Sequence, residues 1–477
     1  MKLAVVGGGW AGLSAAVHAF REGHDVRVFE SGTVLGGRAR SIHAPTLDRE
    51  IDNGQHIMLG AYSDTLALMR DLGLDTERQF TRLPLSLRSA DDSLHLRALP
   101  GLPAPLHIAA GLLTAKGLSW GEKRAAVRAM NQLRRAGWQV PRGATVHEWL
   151  ALTLQPARLQ RLLWIPLCIA TMNTPAELAC AQLFAHVLRD SLGATSRDAC
   201  DILIPRTTLT ELWPSQVDAL TRQHQSATAR GSLEIVSSTT IRRLQYADTA
   251  GPAEPAQLLD GRRSTGSAGT PQASTATLSP GTRLTLDERP ERYDAVLVCT
   301  NTPSASRLLA ALPAVPGSDE FLDTLNSFQH APIATLTLML EQAVALPAPM
   351  LLLHEDRVRG HYGQWLFQGQ DPEQRLLHVV VSDAASLMSR DRDAVLASML
   401  VQLREQLKGV QLSPVLRHAL VVEKRATFLS VPGLKRPSNR TPWPGVFVAG
   451  DWTDTDYPAV LEGAVRSGRT AAMLAMG

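Results

Sequence analysis

The stretch Gly7-Gly8-Gly9-Trp10-Ala11-Gly12 decides the fold, because it joins an apolar run of strand length to a run of helical pattern. Residues 3–6 form the first run and residues 13–20 form the second. A further strand-like run, residues 26–29, ends at Glu30, eighteen residues after Gly12. This Gly-x-Gly-x-x-Gly pattern between a strand and a helix, with an acid after the next strand, predicts a dinucleotide-binding unit.

Each glycine of this unit has a physical role in holding a dinucleotide. Gly7 permits the tight turn, Gly9 lets backbone N–H groups approach a pyrophosphate, and Gly12 lets the helix pack closely on the strand. The helix N-terminus supplies positive potential, and Glu30 can accept a hydrogen bond from a ribose hydroxyl. The contacts predicted in this unit are Gly7, Gly9, Ala11, Gly12, Glu30 and Ser31.

A second glycine pair favours flavin over nicotinamide binding. Gly36-Gly37-Arg38-Ala39-Arg40-Ser41 follows the acidic strand end, where a nicotinamide domain normally begins another helix. Two glycines and two arginines suit a loop that folds over phosphates, because guanidinium groups match phosphate geometry. With this loop, the N-terminal region resembles the superfamily of FAD-dependent amine oxidases and phytoene desaturases. The resemblance implies bound FAD, with Gly36, Gly37 and Arg38 among its contacts.

The C-terminal region carries the other half of the predicted FAD site. Residues 445–451 read as a buried strand that ends at Gly450 and Asp451, and Pro458 is predicted to open a helix. The N–H groups of that helix can point at the flavin edge that becomes negative on reduction. The two halves lie far apart in sequence, so the site is discontinuous. The superfamily pattern adds these contacts: Asn53, Gly54, Gln55, His56, Ile241, Thr300, Gly450, Asp451, Ala459 and Val460.

Several segments narrow the resemblance to one family. Residues 52–56, 167–175, 181–184, 187–194 and 202–205, together with the C-terminal motif, resemble the squalene-associated FAD-dependent desaturases. These are the hydroxysqualene dehydroxylases of bacterial squalene and hopanoid synthesis. Membership implies that reduced flavin replaces the hydroxyl of hydroxysqualene, a long allylic alcohol, with hydrogen to give squalene.

The proton donor for this reaction stays open. His56 lies beside the predicted flavin edge, and Glu177 and Asp201 flank the segments that distinguish the family. Such a histidine more often has a structural role, and such carboxylates are more often helix caps or solvated groups. A bound water is a further alternative, so no catalytic residue is assigned.

The predicted architecture is α/β, with a discontinuous Rossmann-like FAD-binding domain and an α+β substrate domain. The FAD-binding domain takes residues 1–75, 201–303 and 421–477, and residues 247–282 form a flexible insertion within a hairpin. The substrate domain takes residues 76–200, read as long helices forming a cap, and residues 304–420, read as an antiparallel sheet with a helix at 393–407. Within the FAD-binding domain, residues 208–224 are predicted to form a helix, and residues 233–237 and 240–246 a strand pair.

Composition excludes several classes of protein. A net charge of +3 over 477 residues is too near balance for a nucleic-acid binder. The four cysteines form no Cys-x-x-Cys pair, which indicates reduced thiols in a cytoplasmic protein and no metal site. No run reaches eighteen apolar residues. Residues 121–138 form an amphipathic, arginine-rich helix, which suits either a solvated cap or peripheral contact with the inner face of a membrane.

Three rival functions remain open at this stage. A carotenoid or phytoene desaturase or isomerase would use the same fold. A flavin amine oxidase is less favoured, because only 5% of the residues are aromatic and an amine cage needs aromatic walls. A non-enzymatic prenyl-binding escort protein would not need both flavin motifs. The sequence contains no second dinucleotide fingerprint, so the electron donor is not identified.

Overall fold

The computed structural model describes residues 1–219, 231–247, 283–287, 289 and 291–477. Apart from Ala247, the predicted insertion at 247–282 lies outside the described residues. The strands that precede it are β1 (Lys2–Val6), β2 (Asp25–Phe29), β3 (Ser41–Ala44), β4 (Arg49–Asp52), β5 (Met58–Leu59), β6 (Phe80–Leu83), β7 (Ser86–Arg88), β8 (His95–Arg97), β9 (Ile202–Pro205), β10 (Leu233–Val236) and β11 (Leu244–Tyr246). Those that follow are β12 (Leu284–Leu286), β13 (Ala295–Val298), β14 (His330–Leu340), β15 (Met350–Leu352), β16 (Trp365–Gln368), β17 (Leu376–Ser382), β18 (Val415–Phe428) and β19 (Val446–Val448).

Helices separate some of these strands. The first are α1 (Trp10–Arg21), α2 (Ser63–Asp71), α3 (Thr76–Gln79), α4 (Leu106–Thr114), α5 (Trp120–Arg135), α6 (Val146–Leu152) and α7 (Ala157–Leu159). The next are α8 (Ile165–Met172), α9 (Ala181–Asp190), α10 (Leu209–Leu212), α11 (Thr302–Leu309), α12 (Ser318–Asn326), α13 (Arg392–Gln406) and α14 (Leu461–Met476). A π-helix (Gln160–Trp164) links α7 to α8, and 3-10 turns lie at Arg197–Cys200, Pro214–Gln216 and Ala384–Leu387. No helix in the described ranges is long and apolar enough to cross a bilayer.

A five-stranded parallel sheet in the order β10-β2-β1-β13-β19 forms the first layer. The central strand β1 is buried from Leu3 to Val6, as expected for an apolar run in a parallel sheet that is covered on both faces. Helices α1 and α14 cross at Gly468, where a Cβ would lie only 2.1 Å from the Ala11 carbonyl oxygen. The missing side chain lets both chain ends pack together on this sheet. The predicted α/β, Rossmann-like fold class is confirmed.

An antiparallel sheet in the order β15-β16-β17-β14-β18 forms the second unit. One face packs against α13, and the other packs against helices α4–α9 in one apolar cluster. This arrangement matches the antiparallel sheet and helical cap expected from the sequence. The predicted domain boundary between residues 420 and 421 is wrong, because it falls inside β18. A strand hydrogen-bonded to β14 along its length cannot be divided between two units.

Residues 76–100 differ from the prediction of long helices. After the one-turn helix α3 they form β6, β7 and β8, and β6 pairs with β9 in the three-stranded sheet β5-β9-β6. These strands are three or four residues long, so the alternation that marks a strand is too short to recognise. The partner of β6, strand β9, lies more than a hundred residues away in the sequence, whereas β7 and β8 pair with each other.

Three local predictions near the parallel sheet also need correction. The helix expected at 208–224 is interrupted after α10 by the 3-10 turn at Pro214, and its later part extends beyond the described residues. The strand pair expected at 233–246 does not form, because β10 joins the parallel sheet beside β2. Strand β11 pairs instead with β12, so a hairpin does flank the insertion. Pro458 precedes the last helix, which begins at Leu461.

Candidate functional site

The glycine loop after β1 is shaped by two contacts that exclude side chains. Gly7 has a φ of +113°, and a Cβ there would lie 2.7 Å from the Cys299 carbonyl oxygen at the end of β13. A Cβ at Gly12 would lie 1.9 Å from the Gly7 carbonyl oxygen. The loop therefore turns tightly against the sheet, and α1 starts in direct backbone contact with it, as the fingerprint predicts.

The N-terminus of α1 is open toward a ligand. Its N-cap is Gly9, which has no side chain to cap the helix, and the first turn contains no acidic residue. A Cβ at Gly9 would meet only Gly37 Cα, at 3.7 Å. Backbone N–H groups and the positive end of the helix dipole are thus presented with no acidic side chain in the first turn of the helix. This environment fits a pyrophosphate.

Glu30 is held beside this loop at the end of β2. Its two carboxylate oxygens accept hydrogen bonds of 2.7 Å from Gly8 N–H and Gly32 N–H, and Ser31 Oγ donates to it at 3.1 Å. In the chain after β10, Thr239 N–H donates to the Glu30 carbonyl oxygen, and two residues later the chain reaches buried Ile241. The structure therefore brings together the glycine loop, Glu30 and Ile241.

Arg38 joins the N-terminal loop to the C-terminal motif. Gly36 N–H donates to Gly8 O at 2.9 Å, which places the second glycine loop on the first. Arg38 Nη2 then donates to Asp451 Oδ1 at 2.5 Å, and its Nη1 donates to Ala426 O. The charge of Asp451 outweighs the effect of burial and raises the pKa of Arg38. The two ends of the chain therefore meet through a charge-paired hydrogen bond.

Asn53 stabilises this loop through its side chain. Its amide nitrogen donates to Arg38 O at 2.9 Å, and its amide oxygen accepts from Arg40 N–H. Both ends of the Asn53 side-chain amide bond to backbone groups of the second glycine loop, so Asn53 holds that loop in position. Gln55 lies two residues further on and is half-buried.

Sequence reasoning missed Arg436, which organises the loop after Asp451. Its guanidinium donates to the carbonyl oxygens of Asp451, Trp452, Thr453 and Tyr457 and to the Thr455 hydroxyl. One side chain thus fixes the whole turn that carries the predicted C-terminal contacts. No sequence motif marks this arginine, because its targets are carbonyl groups, which every residue possesses.

A buried polar network holds Gly450 in place beneath that turn. Ser467 Oγ on α14 accepts hydrogen bonds from Gly450 N–H and from the Asn439 amide, and it contacts the Thr453 hydroxyl at 2.6 Å. Trp452 Nε1 donates to Thr300 O at 3.0 Å, which ties the turn to the end of β13. These bonds place Gly450, Asp451 and Thr300 at the same edge of the parallel sheet.

Helix α14 also begins without a side-chain cap of its own. Its N-cap is Val460, preceded by half-buried Ala459. The acid of its first turn, Glu462, is fully buried and accepts hydrogen bonds from Asp64 N–H and Thr65 N–H. Glu462 thereby caps α2, whose own N-cap Tyr62 provides no side-chain hydrogen bond. These hydrogen bonds partly offset the negative charge of Glu462. The carboxylate therefore lowers the positive potential at the start of α14 less than a free carboxylate would.

His56 and Thr335 each place a polar side-chain atom close to Gly54. A Cβ at Gly54 would lie 3.3 Å from His56 Nε2 and 3.9 Å from Thr335 Oγ1. Burial and the nearby charge of Arg38 lower the pKa of His56 to about 4, so its imidazole is neutral at neutral pH. Thr335 Oγ1 is buried and has no hydrogen-bond partner among the described residues. A buried, unsatisfied hydroxyl is costly, so Thr335 Oγ1 is available to bond a polar group of a bound molecule.

The lowered pKa of His56 gives a testable pH dependence. Between pH 4 and the ordinary value of 6.5, the unfolded chain binds a proton that folded His56 rejects, so acidification lowers stability. The free energy of unfolding of the apoprotein, measured in urea at pH 7 and pH 5, should therefore fall more for the wild type than for His56→Gln. Equal losses would mean that His56 is not held neutral.

Thr335 lies on a cross-strand row that runs over the antiparallel sheet. Directly paired residues project from the same face, so the row contains Leu352, Trp365, Val380, Thr335 and Val421 in strand order. This face lies under the helical cap. The row is apolar except for the Thr335 hydroxyl and the indole N–H of Trp365, which also has no partner among the residues described.

A cavity of about 370 Å³ lies at the far end of this row. Its walls are Leu352 and Trp365 from the sheet and Leu162, Ile165 and Ile169 from the cap. Arg158, Arg161 and His354 are among the polar residues that also line it. Buried, mostly apolar side chains therefore link Thr335, which lies near Gly54, to the cavity at Leu352 and Trp365.

The remaining candidate acids lie elsewhere. Glu177 is exposed to solvent. Asp201 is paired with Arg82 at 3.5 Å beside the three-stranded sheet, although burial raises its pKa. Asn173, within the family-distinctive stretch, donates to Thr427 Oγ1 and accepts from Asp383 N–H. Residues 167–175 therefore join the cap to the antiparallel sheet, and this structural role explains the polar residue Asn173 within them.

Known proteins resemble this chain along its whole length. A hydroxysqualene dehydroxylase from Zymomonas mobilis subsp. mobilis is 26% identical over 480 residues, covering 99% of this chain and 98% of the relative. Another from Rhodopseudomonas palustris is 26% identical, covering 99% and 97%. A zeta-carotene desaturase from Arabidopsis thaliana is 22% identical, covering 99% and 84%. The solved structure of cyclohexylamine oxidase from Brevibacterium oxydans superposes with a TM-score of 0.64 at 16% identity, covering 99% of this chain and 98% of that one.

The family comparison agrees with the geometry. The profile described as "Flavin containing amine oxidoreductase" matches residues 10–164 and 269–476. Both matched parts contain loops that the structure brings together at Arg38 and Asp451. The match covers more than half of the chain, and the uncapped helix N-terminus and glycine loop fit the cofactor that the description names. The chain therefore belongs to the family of flavin containing amine oxidoreductases.

Proposed function

We propose that the chain binds FAD and uses its reduced form to convert hydroxysqualene to squalene. The hydroxyl group takes up a proton and leaves as water, so a C–O bond breaks and a C–H bond forms at the same carbon. Reduced FAD, when bound, supplies the hydride and becomes oxidised. The substrate is favoured by the relatives named hydroxysqualene dehydroxylase, which align over almost the whole chain.

The observation that carries this proposal is the meeting of the two chain ends beside an apolar face. The Gly9 backbone and Arg38 would hold the pyrophosphate, with Glu30 on the ribose. Asp451 would accept hydrogen bonds from ribityl hydroxyls while remaining paired with Arg38. Hydrogen bonds within the chain fix Glu30, Arg38 and Asp451 in their loops, so these groups are positioned to hold a flavin.

The row from Thr335 to Trp365 would receive the isoprenoid chain. Its side chains are buried and aliphatic or aromatic, which suits a hydrocarbon and excludes water from a developing allylic cation. Thr335 Oγ1 supplies a hydrogen-bonding group at the His56 end of the row. It would hold the substrate hydroxyl, while the neutral His56 ring would orient the departing water. A bound water at this polar end would pass on the proton, while the apolar part of the row keeps bulk water from the cation.

The deciding experiment is anaerobic turnover with chemically reduced protein. Hydroxysqualene and phytoene would be offered separately, and products would be identified by mass spectrometry. The proposal requires squalene to form and the flavin to become oxidised in equal amounts. The zeta-carotene desaturase relative makes carotenoid desaturation the second candidate. Oxidised protein that desaturates phytoene, with no reaction on hydroxysqualene, would favour that candidate.

Thr335→Val should make the protein more stable and less active. Valine removes a buried, unsatisfied hydroxyl without changing the shape, so the free energy of unfolding should rise by about 1 kcal/mol. Loss of one hydrogen bond to the substrate should lower turnover about tenfold. Urea unfolding and the rate of squalene formation measure the two effects.

Thr337→Val provides the matched control on the same strand and face. Its hydroxyl is buried but bonded to His378 Nδ1 at 3.0 Å, so valine breaks a satisfied hydrogen bond there. Stability should therefore fall, opposite to the effect at Thr335. Thr335→Ser should retain turnover, and a Thr335→Val variant with full activity would remove this residue from the site.

A further inference from the structure

Helices α4 and α5 expose an unusual number of large apolar side chains. Leu106 is 56% exposed and Leu113 49% exposed on α4, and Trp120 is 63% exposed at the start of α5. Leu106 and Leu113 are seven residues apart, so they project from the same side of their helix. Soluble surfaces tolerate such residues singly, but a contiguous group indicates an interaction site.

Basic side chains surround these apolar residues. A groove between α4 and α5 is lined by Leu113, Trp120 and Val127 together with Arg124, Arg128 and Arg135 and contains no acidic residue. The three arginines are exposed, and none of them forms an ion pair within the described ranges. Lys123 Nζ donates to Leu113 O at 2.7 Å and joins the two helices. We call the surface formed by Leu106, Leu113, Trp120, Arg124, Val127, Arg128 and Arg135 the α4–α5 face.

The α4–α5 face is connected to the cavity at the end of the apolar row. Glu122 on α5 pairs with Arg158 at 3.0 Å, and Arg158 lines that cavity. Ser119 and Glu122 form a capping box, which fixes the start of α5 and the position of Trp120. The start of α5, which carries exposed Trp120, is therefore tied by one ion pair to the polar side of the cavity.

We propose that the α4–α5 face docks on the surface of an anionic lipid bilayer. Leucine and tryptophan side chains insert into the boundary between headgroups and acyl chains, and arginines pair with lipid phosphates. A nucleic acid would use the arginines but would leave Leu106 and Leu113 in water.

Vesicle binding of the purified, flavin-loaded full chain tests the proposal. Sedimentation with vesicles of equal parts phosphatidylglycerol and phosphatidylcholine should show binding that weakens with salt, whereas pure phosphatidylcholine should bind far less. Changing Arg124, Arg128 and Arg135 together to glutamine should lower the affinity about 100-fold, at about fivefold per arginine. Trp120→Ser should also weaken binding.

Matched variants separate this surface from general charge effects. Arg70, Arg404 and Arg417 are exposed on other elements, so changing all three to glutamine removes the same charge and should leave vesicle binding intact. Val358, at 98% exposed, is the corresponding apolar control for Trp120. Retained flavin absorbance shows that each variant is folded, and turnover in detergent should not change.

Several outcomes would overturn the proposal. These are failure of the wild type to bind anionic vesicles, equal binding by the variant lacking the three arginines, or an equal loss in the matched control. Dimerisation in the absence of lipid that disappears in the α4–α5 variant would assign the face to a second copy of the chain. Preferential binding of duplex DNA over vesicles would assign it to nucleic acid.

Discussion

Replacing Asp451 by alanine is expected to give a protein that loses its flavin during purification and unfolds more easily. Asp451 is buried, and its Oδ1 accepts a 2.5 Å hydrogen bond from Arg38 Nη2. Alanine leaves that guanidinium without its counter-ion in a mostly buried place. Because one third (33%) of the Arg38 side chain is exposed, we expect a loss of about 2–3 kcal/mol of unfolding free energy, less than for a fully buried pair.

A double variant separates the loss of flavin from the loss of stability. Arg38→Met combined with Asp451→Ala removes both charges, so part of the lost stability should return, while flavin binding should stay abolished. Flavin content is measured from the absorbance of the purified protein, and stability from urea unfolding of the apoproteins. Full flavin retention in Asp451→Ala would mean that the C-terminal half of the site is misplaced.

The parts of this fold that were predictable from the sequence are those encoded by adjacent residues. The turn around Gly7 and Gly12 needs particular residues at fixed spacing, and the long strand β14 alternates over enough residues to be recognised. The helix at α13 was also placed within one residue at each end. Local chemistry sufficed in each case.

The remaining features depend on partners distant in the sequence. Strand β6 exists because β9 pairs with it, and the boundary at residue 421 failed because β18 continues along β14. Thr335 is important only because the fold places it beside His56 without a hydrogen-bond partner. A threonine in a strand is ordinary in sequence, and only the three-dimensional contacts distinguish Thr335 from Thr337.

Gly9→Ala should abolish flavin binding while leaving the apoprotein folded. The backbone at Gly9 is extended, with a φ of −76° and a ψ of 176°, which alanine adopts without strain. The added methyl would meet only Gly37 Cα, at an ordinary contact distance of 3.7 Å. The free energy of unfolding should therefore stay within about 1 kcal/mol, and a slight gain is expected because alanine restricts the unfolded chain. The same methyl occupies the space that a pyrophosphate needs to reach the N-terminus of α1.

The affinity of the Gly9→Ala apoprotein for FAD should fall at least about 100-fold, which corresponds to two lost hydrogen bonds to a charged group. Fluorescence titration measures it directly. Gly12→Ala should behave differently, because its Cβ would lie 1.9 Å from Gly7 O and must separate the helix from the loop, so stability and binding fall together. Gly23→Ala meets no atom within 4 Å and should retain flavin despite some backbone strain. If Gly9→Ala bound FAD as tightly as the wild type, the pyrophosphate would have to lie away from the N-terminus of α1, because the added methyl is the only change in the chain.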